Sequence, residues 1–238
     1  MNQRRIAIMQ PYLFPYIGYF QLISAVDLFV FLNDVTYQKS GWINRNRILV
    51  SGQPFNFAVP VCDPSQNRRI DQTLVDSSTY SRWRTKFFRT IQRSYSKAPY
   101  YQSTLSVLRN TFDRLPGSID ELAQASIRST CALLDLQTPV FESAYRYAEL
   151  DHAGAERLLA ICAAEGASHY LNAPGGRSLY DRDQFADAGV QLVFLEPEIA
   201  EYNQGRNQEF TPRLSIIDVL MFNSAEEIRQ MLTQFDLT

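Results

Sequence analysis

Residues 6–24, Ile-Ala-Ile-Met-Gln-Pro-Tyr-Leu-Phe-Pro-Tyr-Ile-Gly-Tyr-Phe-Gln-Leu-Ile-Ser, constrain the fold more than any other stretch. Ile6 to Met9 is a short apolar run, the length of a buried strand. Gln10 to Pro15 cannot be helix interior, because Pro11 and Pro15 each bias the preceding residue away from the right-handed helical region. From Tyr16 the apolar positions Ile17, Phe20, Leu22 and Ile23 fit one broad helical face. The order is therefore strand, tight loop, helix. In an α/β sheet, ligands bind at the carboxyl end of such a strand. Gly18 falls in the first helical turn, where a missing Cβ lets a ligand or another backbone approach closely. Tyr12, Tyr16, Tyr19 and the amides Gln10 and Gln21 add more polar aromatic character than core packing needs, since buried phenols require partners.

The next apolar run, Leu28 to Leu32, reads as a second buried strand and completes a βαβ unit, so the two strands are expected to be parallel. It ends in Asn33-Asp34, polar groups again at a carboxyl end. Residues 35–61 read as a β-hairpin turning at Ser51-Gly52-Gln53-Pro54. Its first half carries Lys39, Trp42, Asn44, Arg45, Asn46 and Arg47. Asn44 and Asn46 share one strand face, while Arg45 and Arg47 share the other. Two arginines on one face can fork onto a phosphate or carboxylate, or can simply shield a sheet edge.

Residues 62–67 read as loop, and Ile70 to Val75 as a short strand. Helices are predicted over 79–95, 101–114 and 118–136, with Ser118 and Glu121 forming a capping box. The first carries Arg82, Arg84, Lys86, Arg89 and Arg93, either a solvated face or an electrostatic landing surface for a phosphorylated substrate. Residues 77–136 thus form a helical insertion within what reads as a single α/β domain. Strands return at 138–143, 169–172 and 190–195, alternating with helices at 152–165 and 180–188. The strand carrying His169 runs into Pro174-Gly175-Gly176-Arg177, a plausible anion cradle, with Tyr180 beyond it. Near the end of the chain, Tyr202, Gln204 and Arg213 precede Ser215, a natural helix N-cap with Asp218 three residues on.

Bulk composition narrows the function class. The 238 residues are 45% hydrophobic and 20% charged, which marks a globular chain long enough for a sizeable core. A net charge of −2 argues against general nucleic-acid binding. No apolar run approaches the ~18 residues of a membrane span, and the prolines behind Arg4 and Arg5 do not suit a signal peptide. Cys62, Cys131 and Cys162 show neither a disulfide framework nor a zinc motif, which fits a cytoplasmic location. His152 and His169 are the two histidines and lack metal-ligand spacing, so no metal site is expected.

Four motifs in order carry a resemblance: Met9-Gln10-Pro11-Tyr12 with Phe14-Pro15-Tyr16 and Gly18-Tyr19; Trp42 with Asn44-Arg45-Asn46; Tyr170 with Gly175-Gly176 and Tyr180; and Tyr202, Gln204, Phe210, Pro212 and Leu214 through Asp218. Together they resemble the WbqC-like family of bacterial proteins, whose genes occur in surface-polysaccharide (O-antigen) and amino-sugar clusters. The resemblance implies an enzyme that transfers an acyl or aminoacyl group to the amine of a nucleotide-linked amino sugar. Acyl-coenzyme A, or ATP with Mg²⁺, are the co-substrates such chemistry suggests, and a homodimer is an open expectation. Asp34, His169 and Asp218 are the candidate bases, and Tyr16 or Tyr19 the candidate oxyanion donors. Gln10, Pro11, Tyr12 and the other motif residues above are the candidate substrate contacts.

A more distant likeness links Tyr16-Ile17-Gly18-Tyr19 to the His-x-Gly-His motif of nucleotidyltransferases, with tyrosines in place of both histidines. It implies an alternative, ATP- or CTP-dependent nucleotidyl transfer or adenylation, with arginines supplying the missing charge. A non-catalytic sugar- or nucleotide-binding protein of a glycan assembly complex is the third reading. The fold expected is Rossmann-like, with a central parallel sheet of about five strands.

Overall fold

A computed structural model describes residues 3–64, 67–205 and 209–238. The chain runs β1 (Arg5–Met9), α1 (Ile17–Ser24), β2 (Leu28–Phe31), β3 (Arg45–Val50), β4 (Gln53–Ala58), α2 (Ser77–Tyr95), α3 (Tyr101–Phe112) and α4 (Ile119–Leu133). It continues through β5 (Val140–Glu142), α5 (Ser143–Arg146), α6 (Gly154–Ala164), β6 (His169–Asn172), a 3₁₀ turn at Pro174–Gly176, α7 (Arg182–Asp187) and β7 (Gln191–Pro197). It ends with α8 (Ile216–Phe222), α9 (Ala225–Met231) and β8 (Phe235–Leu237).

Six strands form one sheet in the order β5-β2-β1-β6-β7-β8. All neighbours are parallel except β7 and β8, which are antiparallel. Counted along the chain without the hairpin, this is the 3-2-1-4-5-6 order of Rossmann-like sheets, with the switch point between β1 and β6. The apolar runs explain why. Strands buried on both faces read as continuous hydrophobic sequence. In β1 and β2, Ile6, Ile8, Leu28 and Val30 pack with α6 and α7 through Leu158, Ile161 and Phe185. Ala7, Phe29 and Phe31 face the opposite way, into a larger core with α1, the helices α2–α4, α8 and α9.

The hairpin β3–β4 stands apart as a two-stranded antiparallel sheet. Ser51 and Gly52 both take positive φ, 55° and 82°, the two-residue turn whose twist suits a hairpin. The strand expected at 70–75 is instead a turn with single bridges from Leu74 to Ser118 and from Val75 to Val61. Residues 65 and 66 of the loop expected at 62–67 lie outside the described residues. Among the described residues no helix is long and apolar enough to cross a membrane.

Candidate functional site

The loop between β1 and α1 is fixed by buried hydrogen bonds from three other elements. Phe14 takes φ 44°, a left-handed conformation that costs a side chain about 1–3 kcal/mol. Its N–H donates to Ser126 Oγ of α4 at 2.9 Å. Its carbonyl accepts from Asn46 Nδ2 of β3 at 2.7 Å and from Ser215 Oγ at 2.8 Å. Asn46 also reaches the Leu13 carbonyl at 3.0 Å. The hairpin is laid over the loop by Leu13 N–H donating to Ile43 O at 3.1 Å, and Ser215 N–H donates to Arg47 O at 2.9 Å.

This clasp roofs a cleft of about 680 Å³ across the carboxyl ends of β1 and β6, the switch point of the sheet. The volume lies within the ordinary range of small-molecule sites. Its floor is apolar, with Ile8, Met9 and Leu32. Four aromatic side chains line it: Tyr12, Tyr16, Trp42 and Tyr180. Gln10, Gln38, Asn46 and Asn172 add amides, and Arg47 and Arg213 add two cations. No Asp, Glu, Lys, His or Cys is among the lining residues described, so the cleft carries net positive charge.

Arg47 and Arg213 meet at the rim. The Arg47 guanidinium donates to the Arg213 carbonyl at 3.2 Å and lies 5.8 Å from the centre of the Trp42 ring. Arg213 presents that carbonyl from a left-handed backbone of φ 55°. The Arg47 Nε is buried and has no hydrogen-bond partner among the described residues. Trp42 stays 48% exposed, so one face of the indole remains open to a ligand.

Tyr16 caps α1 and folds its ring back over Gly18; a Cβ on Gly18 would lie 2.5 Å from that ring. The close approach expected at Gly18 is thus made by Tyr16, not by a ligand or a second backbone. Burial raises the Tyr16 phenol above its ordinary value; the positive charge of Arg213 pulls it down and the negative charge of Glu196 pushes it up. Burial likewise raises Tyr12, with Tyr16 beside it, and Tyr180. All three remain protonated at neutral pH and act as hydrogen-bond donors, not bases. Gly176 admits the Asn172 amide, since a Cβ there would lie 2.3 Å from Asn172 Nδ2.

Several candidates sit elsewhere. Tyr19 is 3% exposed and donates to the Gln10 carbonyl at 3.1 Å, with its ring edge-on to Tyr12; it supports the loop from behind. Pro11 is buried in the same loop. Asp34 is tied to Arg157 in a buried ion pair and accepts from Ser143 Oγ. His169 opens β6, about 10 Å of strand from the carboxyl end, where its Nδ1 meets Ser168 Oγ at 2.8 Å. A strand only four residues long leaves no doubt of which end a residue occupies once its direction is set.

Asp218 is fully buried. It accepts from Tyr95 at 2.7 Å, Tyr202 at 2.7 Å and Gln204 at 3.3 Å, and burial raises its pKa. Gln204 also clasps Thr211 through both ends of its amide, at 2.9 Å each. These three residues shape the chain that delivers Arg213. Arg177 reaches away, to Glu196 at 2.6 Å and over the Phe194 ring. Arg45 donates to the Lys39 carbonyl at 2.9 Å, so the two hairpin arginines do not act as one fork. The Lys39 side chain is exposed outside the cleft, and Asn44 bonds the Val59 carbonyl at 2.8 Å inside the hairpin. Gly175 lines the cleft with open space around it.

Sequence reasoning missed Gln38, Asn172 and Leu179. Asn172 had a signal, as the last residue of a strand running into a Gly-Gly turn. Gln38 and Leu179 had none, because their place depends on how two loops fold across the sheet.

The fold and cleft define a Rossmann-like α/β protein with a cationic, aromatic-walled cleft at the switch point of its sheet. The model of the WbqC-like protein family matches residues 10–230, and the chain belongs to that family. It is similar to the uncharacterized protein Rv1507c of Mycobacterium tuberculosis (strain ATCC 25618 / H37Rv), with 29% identity over 227 residues, covering 94% of this chain and 95% of that protein. No solved structure matches the chain.

Proposed function

We propose that this protein is a transferase that acylates or aminoacylates the amine of a nucleotide-linked amino sugar held in the cleft. The observation that carries the reading is the lining itself: two guanidiniums, four aromatic rings and no carboxylate at a sheet switch point. Arginines suit the diphosphate of such a substrate, and Trp42 and the tyrosines suit a base or sugar ring. The substrate's own amine supplies the nucleophile, so no cysteine or serine is required. Its nitrogen forms the bond to the activated carbonyl carbon, the bond to the donor's leaving group breaks, and the amine proton passes to water or the leaving group. Tyr16, kept protonated, donates to the oxygen where negative charge develops. Asp34, His169 and Asp218 take no part in this scheme, being engaged or placed elsewhere.

Nucleotidyl transfer fits the cleft less well. Its phosphates would need the first turn of α1, which the Tyr16 ring covers. With no carboxylate on the lining, Mg²⁺ would be held by the nucleotide alone.

The test is thermal unfolding against UDP- and dTDP-amino sugars, ATP, CTP and acyl-coenzyme A, with and without Mg²⁺. A ligand at one hundred times its Kd adds about 2.7 kcal/mol, which is about 5–10 °C for a chain of this size. Stabilisation by a nucleotide sugar is expected, and Arg47→Ala should weaken it about 10- to 100-fold, the loss of a charged hydrogen bond of about 1.5–3 kcal/mol. Stabilisation by ATP or CTP alone, requiring Mg²⁺, would favour the nucleotidyl reading. Tight binding of a nucleotide sugar with no turnover in any donor mixture would leave a binding protein.

A further inference from the structure

Charge outside the cleft is unevenly placed. Residues 77–112 hold seven cations (Arg82, Arg84, Lys86, Arg89, Arg93, Lys97 and Arg109) and no carboxylate, in a chain of net charge −2. Arg82, Lys86, Arg89 and Arg93 recur at intervals of four, three and four, so they form one row along α2 about 17 Å long. All four are exposed. Arg84, beside the row, is paired with Asp113. The four of the row form no ion pair among the described residues. The opposite face of α2 is committed to the core through Tyr80, Phe87, Ile91 and Tyr95. Like charges at these spacings repel, and α2 has no carboxylate to offset them. Next to the row, a groove of about 580 Å³ includes Phe88, Tyr101 and Arg109, and its carboxylate, Asp113, is paired with Arg84.

We propose that this row docks an acidic helix of a partner protein. A helix with carboxylates at intervals of four, three and four residues steps by about 6, about 4.5 and about 6 Å, the spacing of the row. Arginine forks match carboxylates, and the Phe88 and Tyr101 rings offer an apolar flank. An extended polyanion suits the surface less. Nucleic acid or an anionic bilayer would run past the row onto the rest of the molecule, whose net charge is negative, whereas a single helix touches the row alone. The surface is independent of the cleft and of the reaction proposed there.

The experiment is fluorescence anisotropy of the 238-residue chain with a labelled helical peptide of about 15 residues carrying glutamates at intervals of four, three and four. Controls are a peptide of equal composition with its glutamates spread around the helix, a single-stranded oligonucleotide, and phosphatidylglycerol vesicles. The patterned peptide should bind best, weaken as salt rises, and lose at least tenfold in affinity to Lys86→Glu/Arg89→Glu/Arg93→Glu. Melting temperature checks that the triple variant folds; if it does not, Arg89→Glu alone should still lose several-fold. The proposal is overturned by no binding, by equal binding to the variant, by equal binding of the spread peptide, or by tighter binding of oligonucleotide or vesicles. Self-association at low salt that the variant abolishes would also overturn it, in favour of a second copy of the chain.

Discussion

Tyr16 and Gly18 work as one unit. The ring of Tyr16 reaches the cleft because Gly18 leaves room for it, and the phenol is protonated at neutral pH, as an ordinary tyrosine is, with burial raising its pKa further. Gly18→Ala therefore separates stability from function. Alanine is the better helix former by about 1 kcal/mol, which offsets moving a ring that can swing outward. Urea unfolding should give stability within about 1 kcal/mol of the wild type, while affinity for the cleft ligand falls at least tenfold. A tightly binding Gly18→Ala protein would show that the ring position does not matter. The pair also marks how far single residues were legible. The sequence placed Tyr16 and Gly18 at a strand-to-helix junction, where the structure has them, but assigned the space over Gly18 to a ligand or another backbone. Arg47 and Arg177 looked alike as loop or edge arginines. Arg47 lines the cleft while Arg177 is held by Glu196, a partner nineteen residues away on β7. Such partners come from tertiary structure, which residue type and spacing do not encode.

At the scale of elements, the β1–α1 loop, the hairpin and α8 form one clasp around the Phe14 carbonyl. Asn46 and Ser215 both donate to that oxygen, from β3 and from the cap of α8. Each of Asn46→Ala and Ser215→Ala should cost about 1–3 kcal/mol, from buried groups left without partners. Because they share an acceptor, the double variant should depart from additivity by about 0.5–3 kcal/mol in a denaturant-unfolding cycle. Additive losses would mean that hairpin and helix are anchored independently. The elements of this clasp were visible beforehand: apolar runs gave β1, β2, β6 and β7, and Ser215 with Asp218 announced a helix start. What escaped was short or set by distant contacts. β8 is only three residues long and exists through its pairing with β7. Residues 70–75 carry strand-like side chains, yet Ile70 N–H donates to the distant Val35 carbonyl and Thr73 N–H closes a turn onto the Ile70 carbonyl. Asp218 followed its cap signal into α8, but its burial beneath Tyr95 and Tyr202 required α2 and the 202–215 segment to meet there.

The two edges of the sheet divide the work of the molecule. The carboxyl edge carries the cleft. At the other edge, Glu165 follows α6 and joins Arg4, just before β1, to the end of α5 and the residue after it. It bonds Arg4 at 2.9 Å, Arg146 at 2.8 Å and Tyr147 at 2.8 Å, and is 7% exposed. Burial alone would raise its pKa, but hydrogen bonds from Arg146 and Tyr147 and the charges of Arg146 and Arg4 outweigh it and hold the carboxyl below its ordinary value of 4.5. A carboxylate depressed in the folded state stabilises the fold above its unfolded pKa, and that contribution disappears as pH falls through the folded value. Asp120 and Asp218, raised by burial, act with opposite sign: their ionisation weakens the fold as pH rises past the ordinary value of 3.8. Glu165→Gln isolates the first effect. The variant should be less stable than the wild type at pH 7, and the gap should narrow as pH drops below about 4.5 and close once wild-type Glu165 is protonated. Chemical denaturation across pH 3–7 measures this directly; a gap that stays constant with pH would mean the loss is packing rather than charge. Affinity at the cleft should be unchanged at pH 7, because the cluster lies at the end of the strands away from Arg47 and Tyr16. Arg47→Ala should show the reverse, weakened binding on an intact fold, and the two variants together separate what holds this sheet from what it holds.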